Sequence, residues 1–199
     1  MYPNKKFDIA AVKKVAENYT SRIYGMILYT RKDAYVIKVL KDEDFWNSFD
    51  EISGPNWPIF TTEPLTRGHY TISNTSSDSI SFMVQKWQEP NTNWDILDTF
   101  GLSSSEDLPC FVAFMWDDND NLHKAIMPIR GRGLEETYNS IKNIIEVISK
   151  AEEQILDEYK QSESVFREVK SNLEAAKSKN NIVKCYKAVK EVKDILSFV

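Results

Sequence analysis

Leu108-Pro109-Cys110-Phe111-Val112-Ala113-Phe114-Met115-Trp116 opens the stretch on which the fold turns; Asp117-Asp118-Asn119-Asp120-Asn121 and Leu122-His123-Lys124-Ala125-Ile126-Met127-Pro128-Ile129 complete it. The near-continuous apolar run over 110–116 predicts a strand covered on both faces. The Asp/Asn cluster predicts a tight turn, because these side chains hydrogen-bond their own backbone and tolerate left-handed conformations. Residues 122–129 then read as the antiparallel return strand of a hairpin. Gly131 and Gly133 punctuate the chain before a helix.

Working upstream, Tyr24-Gly25-Met26-Ile27-Leu28-Tyr29 and Ala34-Tyr35-Val36-Ile37-Lys38-Val39-Leu40 are both rich in aromatic and β-branched residues. With the polar Arg31-Lys32-Asp33 between them they predict a second hairpin. Asp42 precedes Phe45, Trp46, Phe49 and Ile52, an amphipathic helix that Gly54-Pro55 closes. Asp8 is placed to cap an earlier helix carrying Ile9, Val12, Val15, Ala16 and Tyr19 on one face. Residues 57–62 predict a strand that Pro55, Pro58 and Pro64 confine to a sheet edge or an irregular segment. A polar loop over 66–79, a strand over 79–84 and a helical patch at Trp94, Leu97 and Phe100, ended by Gly101, follow.

Downstream of Gly133 neither Gly nor Pro occurs. Leu134, Tyr138, Ile141, Ile145, Ile148, Ile155, Tyr159, Phe166, Val169, Leu173 and Ala176 keep a 4-3 spacing, with Glu152 and Ser162 at the skipped seam positions. This predicts one helix of about 60 Å, turning at Asn180-Asn181 into a shorter second helix. Residues 134–163 carry three Lys+Arg and eight Asp+Glu, residues 164–199 eight and four. The opposite signs favour an antiparallel helical hairpin, although each exposed pair contributes under about 1 kcal/mol. Such a seam must meet the preceding domain, a second copy of the chain, or another protein.

The order strand, helix, strand, short helix, then a proline opening a hairpin that feeds a last helix resembles the thioredoxin-like fold superfamily. Leu108-Pro109-Cys110-Phe111-Val112-Ala113-Phe114 is similar to the segment in which that superfamily places a cis-proline before a core strand. The resemblance implies an α/β, mixed-sheet domain over residues 1–133, its last helix beginning near 134, with residues 134–199 as a C-terminal helical hairpin arm. It also implies a reactive thiol, or Cys-x-x-Cys, after the first core strand. The stretch matched to that position, Leu40-Lys41-Asp42-Glu43-Asp44-Phe45-Trp46, has no cysteine, and its carboxylates oppose a thiolate. The usual redox activity is therefore not expected.

Composition bounds the remaining classes. The 199 residues carry 25 Lys+Arg against 30 Asp+Glu, a net charge of −5, and two cysteines, which excludes disordered, disulfide-scaffold and generally nucleic-acid-binding classes. No apolar run is long enough for a membrane span or a signal segment, and two distant thiols suit reduced cysteines. The expectation is a cytoplasmic protein without a membrane, nucleic-acid or cofactor partner.

Cys110 beside Pro109 is the candidate for nucleophilic chemistry, set against the simpler reading of a small apolar residue in a buried strand. His69 and His123 have no ligand set among their sequence neighbours. Asp117, Asp118 and Asp120 lack the central Gly and distal Glu of an EF-hand loop, and turn chemistry accounts for them. No metal site is read. Arg130 and Arg132 flank a Gly-rich helix start suited to an anion. Trp57 and Trp87, beside Pro-containing segments and expected to be partly exposed, join Tyr159 and Phe166 of the seam as interaction candidates.

The expected function is a non-enzymatic interaction or scaffold protein: a redox-inactive thioredoxin-like domain with a helical arm for self-association or partner docking, its partner another protein or a second copy. Two alternatives stand beside it. One is a thiol- or anion-dependent enzyme using Cys110, or Arg130 and Arg132. The other is a ligand or nucleic-acid sensor working through the lysine face of Lys177, Lys179, Lys184, Lys187, Lys190 and Lys193.

Overall fold

A computed structural model describes residues 3–4, 12, 14, 19–54, 56–62, 96–102, 107–155, 160 and 162–178. The elements are β1 (Pro3–Asn4), β2 (Tyr24–Leu28), α1 (Ala34–Lys41), α2 (Glu43–Ser53), β3 (Ile59–Thr62), β4 (Cys110–Trp116), β5 (Leu122–Pro128) and α3 (Leu134–Glu153). A further helix, α4, covers 163–178. The sheet is mixed, in the order β3-β2-β4-β5, with the two-residue β1 outside β3. β2 and β3 are parallel, whereas β4 runs antiparallel to both β2 and β5. Because β2 and β3 are parallel, the connection between them must cross over, and α1 and α2 supply that crossover.

The strand over 110–116 is buried on both faces, as its continuous apolar character requires. Phe111, Ala113 and Met115 join the core beneath the helices, with Val36, Val39, Phe49, Ile141, Ile145, Ile148, Phe166 and Val169. Cys110, Val112 and Phe114 face the other way, into a smaller core with Met26, Leu28, Phe60, Leu97 and Phe100. Gly25 fits where β2 passes under two rings: a Cβ there would lie 2.6 Å from Phe111 Cζ and 2.7 Å from Trp57 Cζ3. The turn after β4 is the Asx-type turn expected. Asp117 accepts the amides of Asn119 and Asn121, and Asp120 takes a positive φ of 62°.

Three expectations need correction. The run Ala34–Leu40 is not a hairpin strand but the helix α1. Its Val36, Val39 and Leu40 are buried while Tyr35, Lys38 and Lys41 are exposed, a helical spacing hidden by the β-branched composition. Second, β3 is not a sheet edge: it pairs with β2 on one side and with β1 on the other, and Pro58 begins the pairing by accepting the Gly25 amide through its carbonyl. Third, the helix from Leu134 ends at Glu153 rather than running on for forty residues. Ser162, read as a seam interruption, stands instead at the start of α4, where its hydroxyl hydrogen-bonds that of Ser164.

The 4-3 seam meets the domain itself. Ile141, Ile145, Ile148, Phe166, Val169 and Leu173 are all buried in the core under the helices. Glu152, the charge at a skipped seam position, is fully buried 3.1 Å from Lys160 Nζ. The helical patch near 97 is present over 96–99 and ends at Gly101 with a φ of 55°. The strand expected over 79–84 and the turn at Asn180-Asn181 lie outside the described residues.

Candidate functional site

The start of α1, the peptide preceding β4 and the β5–α3 connection converge on one side of the sheet. Together they form an open cavity of about 290 Å³. Lys32, Asp33, Tyr35 and Val36 line it from the helix side, Pro109 from the strand side, and Ile129, Gly131 and Thr137 from the connection. The Leu108–Pro109 peptide bond is cis. A second concavity, of about 20 Å³ next to Trp57 and Phe49, holds no more than a water-sized guest.

Local chemistry explains each wall. Asp33 occupies the N-cap position of α1 but makes no side-chain cap to the helix. Its carboxylate turns back to accept the Thr30 amide at 2.6 Å and the Thr30 hydroxyl at 2.8 Å. Of the first-turn amides of α1, that of Ala34 donates to the Lys32 carbonyl at 2.9 Å, and none receives a side-chain acceptor from the N-cap. Pro109 is fixed from behind, since its carbonyl accepts the Ile129 amide at 2.9 Å. Gly131 is required by close approach: a Cβ there would sit 2.4 Å from Thr137 Oγ1 and 2.5 Å from the Thr137 backbone nitrogen. Tyr35, 43% exposed, and Lys32 are exposed lining residues, and Arg31, Arg130 and Arg132, each next in sequence to a lining residue, are exposed as well.

The sequence-derived candidates separate in space. Pro109 lies in the cavity wall. Cys110 does not: its side chain belongs to the opposite core, fully buried, and burial followed by the nearby Asp107 charge pushes the thiol up to about 12. Arg130 and Arg132 alternate in sequence with the lining residues Ile129 and Gly131 without lining the cavity themselves, and their backbone amides are already used, by Ser140 Oγ at 3.0 Å and by Glu136 Oε2 at 2.7 Å. The Gly-rich helix start is therefore satisfied by side chains from the first two turns of α3. Trp57, expected to be partly exposed, is fully buried; its indole N–H donates to Ser149 Oγ at 3.1 Å, and that hydroxyl donates on to the Ile52 carbonyl. Phe166 is likewise buried, 4% exposed. Trp87 and Tyr159 lie outside the described residues, as do His69 and the lysines from 179 onward.

The residues that sequence reading missed are those at the start of α1. Reading 34–40 as a strand moved the expected helix start to Leu40–Trp46, whereas the helix facing Pro109 begins at Ala34. The corrected stretch, Tyr29-Thr30-Arg31-Lys32-Asp33-Ala34-Tyr35-Val36, also has no cysteine. The available signal was Thr30 and Asp33 just ahead of a Val36/Val39/Leu40 spacing. No family model, curated protein or solved structure matches this chain. Among the described residues, no helix is long and apolar enough to cross a membrane.

Proposed function

We propose that this chain is a redox-inactive, thioredoxin-like, non-enzymatic protein-binding module, and that it docks an extended acidic segment of another protein in the cavity beside Pro109. The strand order β3-β2-β4-β5, the crossover through α1 and the cis-proline directly before β4 support the thioredoxin-like reading. The observation that carries the binding role is the cavity itself. A helix start without a side-chain cap and a cis-proline line one open concavity of about 290 Å³, with exposed Lys32 in its wall and exposed Arg31, Arg130 and Arg132 each next in sequence to a lining residue. A helix N-terminus and Lys32 favour a negatively charged guest, and the Asp33 carboxylate in the same wall, which opposes one, is turned back onto the Thr30 amide and hydroxyl. The cysteine-free stretch 29–36 and the inward-facing Cys110 speak for binding rather than thiol exchange.

The test is selection of displayed, unstructured peptides on the intact protein, followed by affinity measurement with Lys32→Glu and Tyr35→Ser variants. Both residues are exposed, so the fold tolerates the changes. Acidic sequences are expected to dominate, to compete with one another, and to lose at least about tenfold in affinity in Lys32→Glu, roughly 1.4 kcal/mol. Selected peptides that bind both variants as well as the parent refute the assignment of the cavity.

A further inference from the structure

At the far end of the β4–β5 hairpin, three side chains from separate parts of the chain converge. Asp117 directly follows β4, His123 stands in β5, and Glu163 opens α4. One potential ligand atom from each lies within 4.8 Å of those of the other two. His123 Nε2 and Asp117 Oδ2 are 3.2 Å apart. Two ligands bonded at about 2.0–2.2 Å to one tetrahedral ion stand about 3.3–3.6 Å apart, so this hydrogen-bonded pair need open only slightly to take one ion. Glu163 is exposed, and its carboxylate lies within 4.8 Å of both.

The pair is also supported in the way metal ligands are. Asp117 Oδ1 accepts the amides of Asn119 at 2.9 Å and Asn121 at 2.8 Å, and Oδ2 accepts the Asn121 side-chain amide at 2.8 Å. These donors orient the carboxylate. The His123 ring lies 6.0 Å from the Phe166 ring of α4, which limits its rotation. In the metal-free chain Nε2–H donates to the ionised Oδ2; a cation taking that place requires the proton on Nδ1 instead, which frees the Nε2 lone pair for it.

From this convergence we infer that Asp117, His123 and Glu163 form a divalent transition-metal site that staples α4 to the β4–β5 turn. One imidazole and two carboxylates suit Zn²⁺ best among common divalent ions, with water completing the tetrahedron. A set of three protein ligands that includes a nitrogen is poor for Mg²⁺ or Ca²⁺, which take more, all-oxygen ligands. The site is independent of the binding role proposed above.

The experiment is calorimetric titration of the chelator-stripped full chain with ZnCl₂ under reducing conditions, paired with hydrogen exchange. One equivalent is expected to bind saturably, and Glu163→Gln and His123→Gln are each expected to weaken it at least about tenfold. Zinc is expected to slow exchange across 163–178 in the parent and not in Glu163→Gln. His69→Gln and Cys185→Ser are expected to keep full affinity. Circular dichroism confirms that the variants fold, and neither changed side chain is buried. Absence of saturable binding, or binding that Glu163→Gln and His123→Gln leave unchanged, overturns the inference.

Discussion

Replacing Lys160 by Met tests the ion pair that anchors the segment between α3 and α4. Glu152 is fully buried, and the Lys160 ammonium, itself 13% exposed, stands 3.1 Å from its Oε1. Neither carboxylate oxygen has a well-aligned hydrogen-bond donor, so charge attraction is what compensates the burial. Removing one member of a buried pair typically costs about 3–5 kcal/mol, because the survivor stays desolvated. Water reaching the lysine end places Lys160→Met near the lower limit, about 3 kcal/mol. At about 2–4 °C per kcal/mol for a chain of this size, Tm falls by about 6–12 °C. Glu152→Leu is expected to cost much less, since the freed ammonium can turn toward solvent. The double variant should recover most of the loss, to within about 1 kcal/mol of the parent. Urea unfolding at neutral pH measures all four proteins. A Lys160→Met loss under about 0.5 kcal/mol, the size of an ordinary surface change, would refute the reasoning.

Gly25→Ala forces a Cβ to within 2.7 Å of the rings of Phe111 and Trp57, and both rings are buried. Overpacking of this kind costs about 1–3 kcal/mol, read as a lower unfolding midpoint in urea. For Asp117 the folded pKa is depressed to about 2 from an ordinary 3.8, chiefly by the Asn121 side-chain amide. Its contribution to stability is therefore present above pH 3.8 and lost as the pH falls through 2. Unfolding curves of the parent and Asp117→Asn should converge across that interval. For Cys110 the folded pKa is raised to about 12 from 9.0, chiefly by burial. Its contribution is fully present below pH 9.0 and fades as the pH rises toward 12. A thiol reagent at pH 8 should label Cys110 only at the rate of unfolding, which mass mapping of the labelled peptide reads directly.

The hairpin 110–128 was legible because two independent signals agreed: a seven-residue apolar run and a turn whose Asp/Asn chemistry has one common use. Helix α2 was legible through its ends, with Asp42 accepting the Asp44 and Phe45 amides and Gly54 closing at a φ of 54°. Helix α1 was not. AYVIKVLK is short, apolar and β-branched, and over eight residues periods of 2 and 3.6 both fit it. Parallel pairing of β2 with β3 decides the matter, because a hairpin strand cannot join strands that run the same way. The seam after Gly133 was correctly seen as a stripe. What it meets was not legible, since an apolar stripe fits a sheet as well as a second helix. The cavity escaped because it rests on α1 starting at Ala34. The Asp117–His123–Glu163 cluster escaped because forty residues separate its last two members.

The geometry also makes the two proposed sites separable. The cavity lies where β4 begins and β5 ends, at Pro109 and Ile129, whereas the cluster lies where β4 ends and β5 begins, at Asp117 and His123. Strand rise puts the length of β4, about 20 Å, between them. Sites that far apart and sharing no side chain are expected to act additively unless a two-state element links them. Lys32→Glu should then leave the zinc isotherm unchanged, and Glu163→Gln should leave the affinity for selected peptides unchanged. A direct connection between them is the hairpin itself, whose strands are paired along their whole length from Cys110–Pro128 to Trp116–Leu122. If zinc shifts peptide affinity, linkage requires peptide to shift zinc affinity by the same factor. Measuring both isotherms with and without the other ligand decides it: a factor within error of one in both directions means two independent sites. A matched factor above one would make the hairpin a coupling element and overturn the additivity argued here.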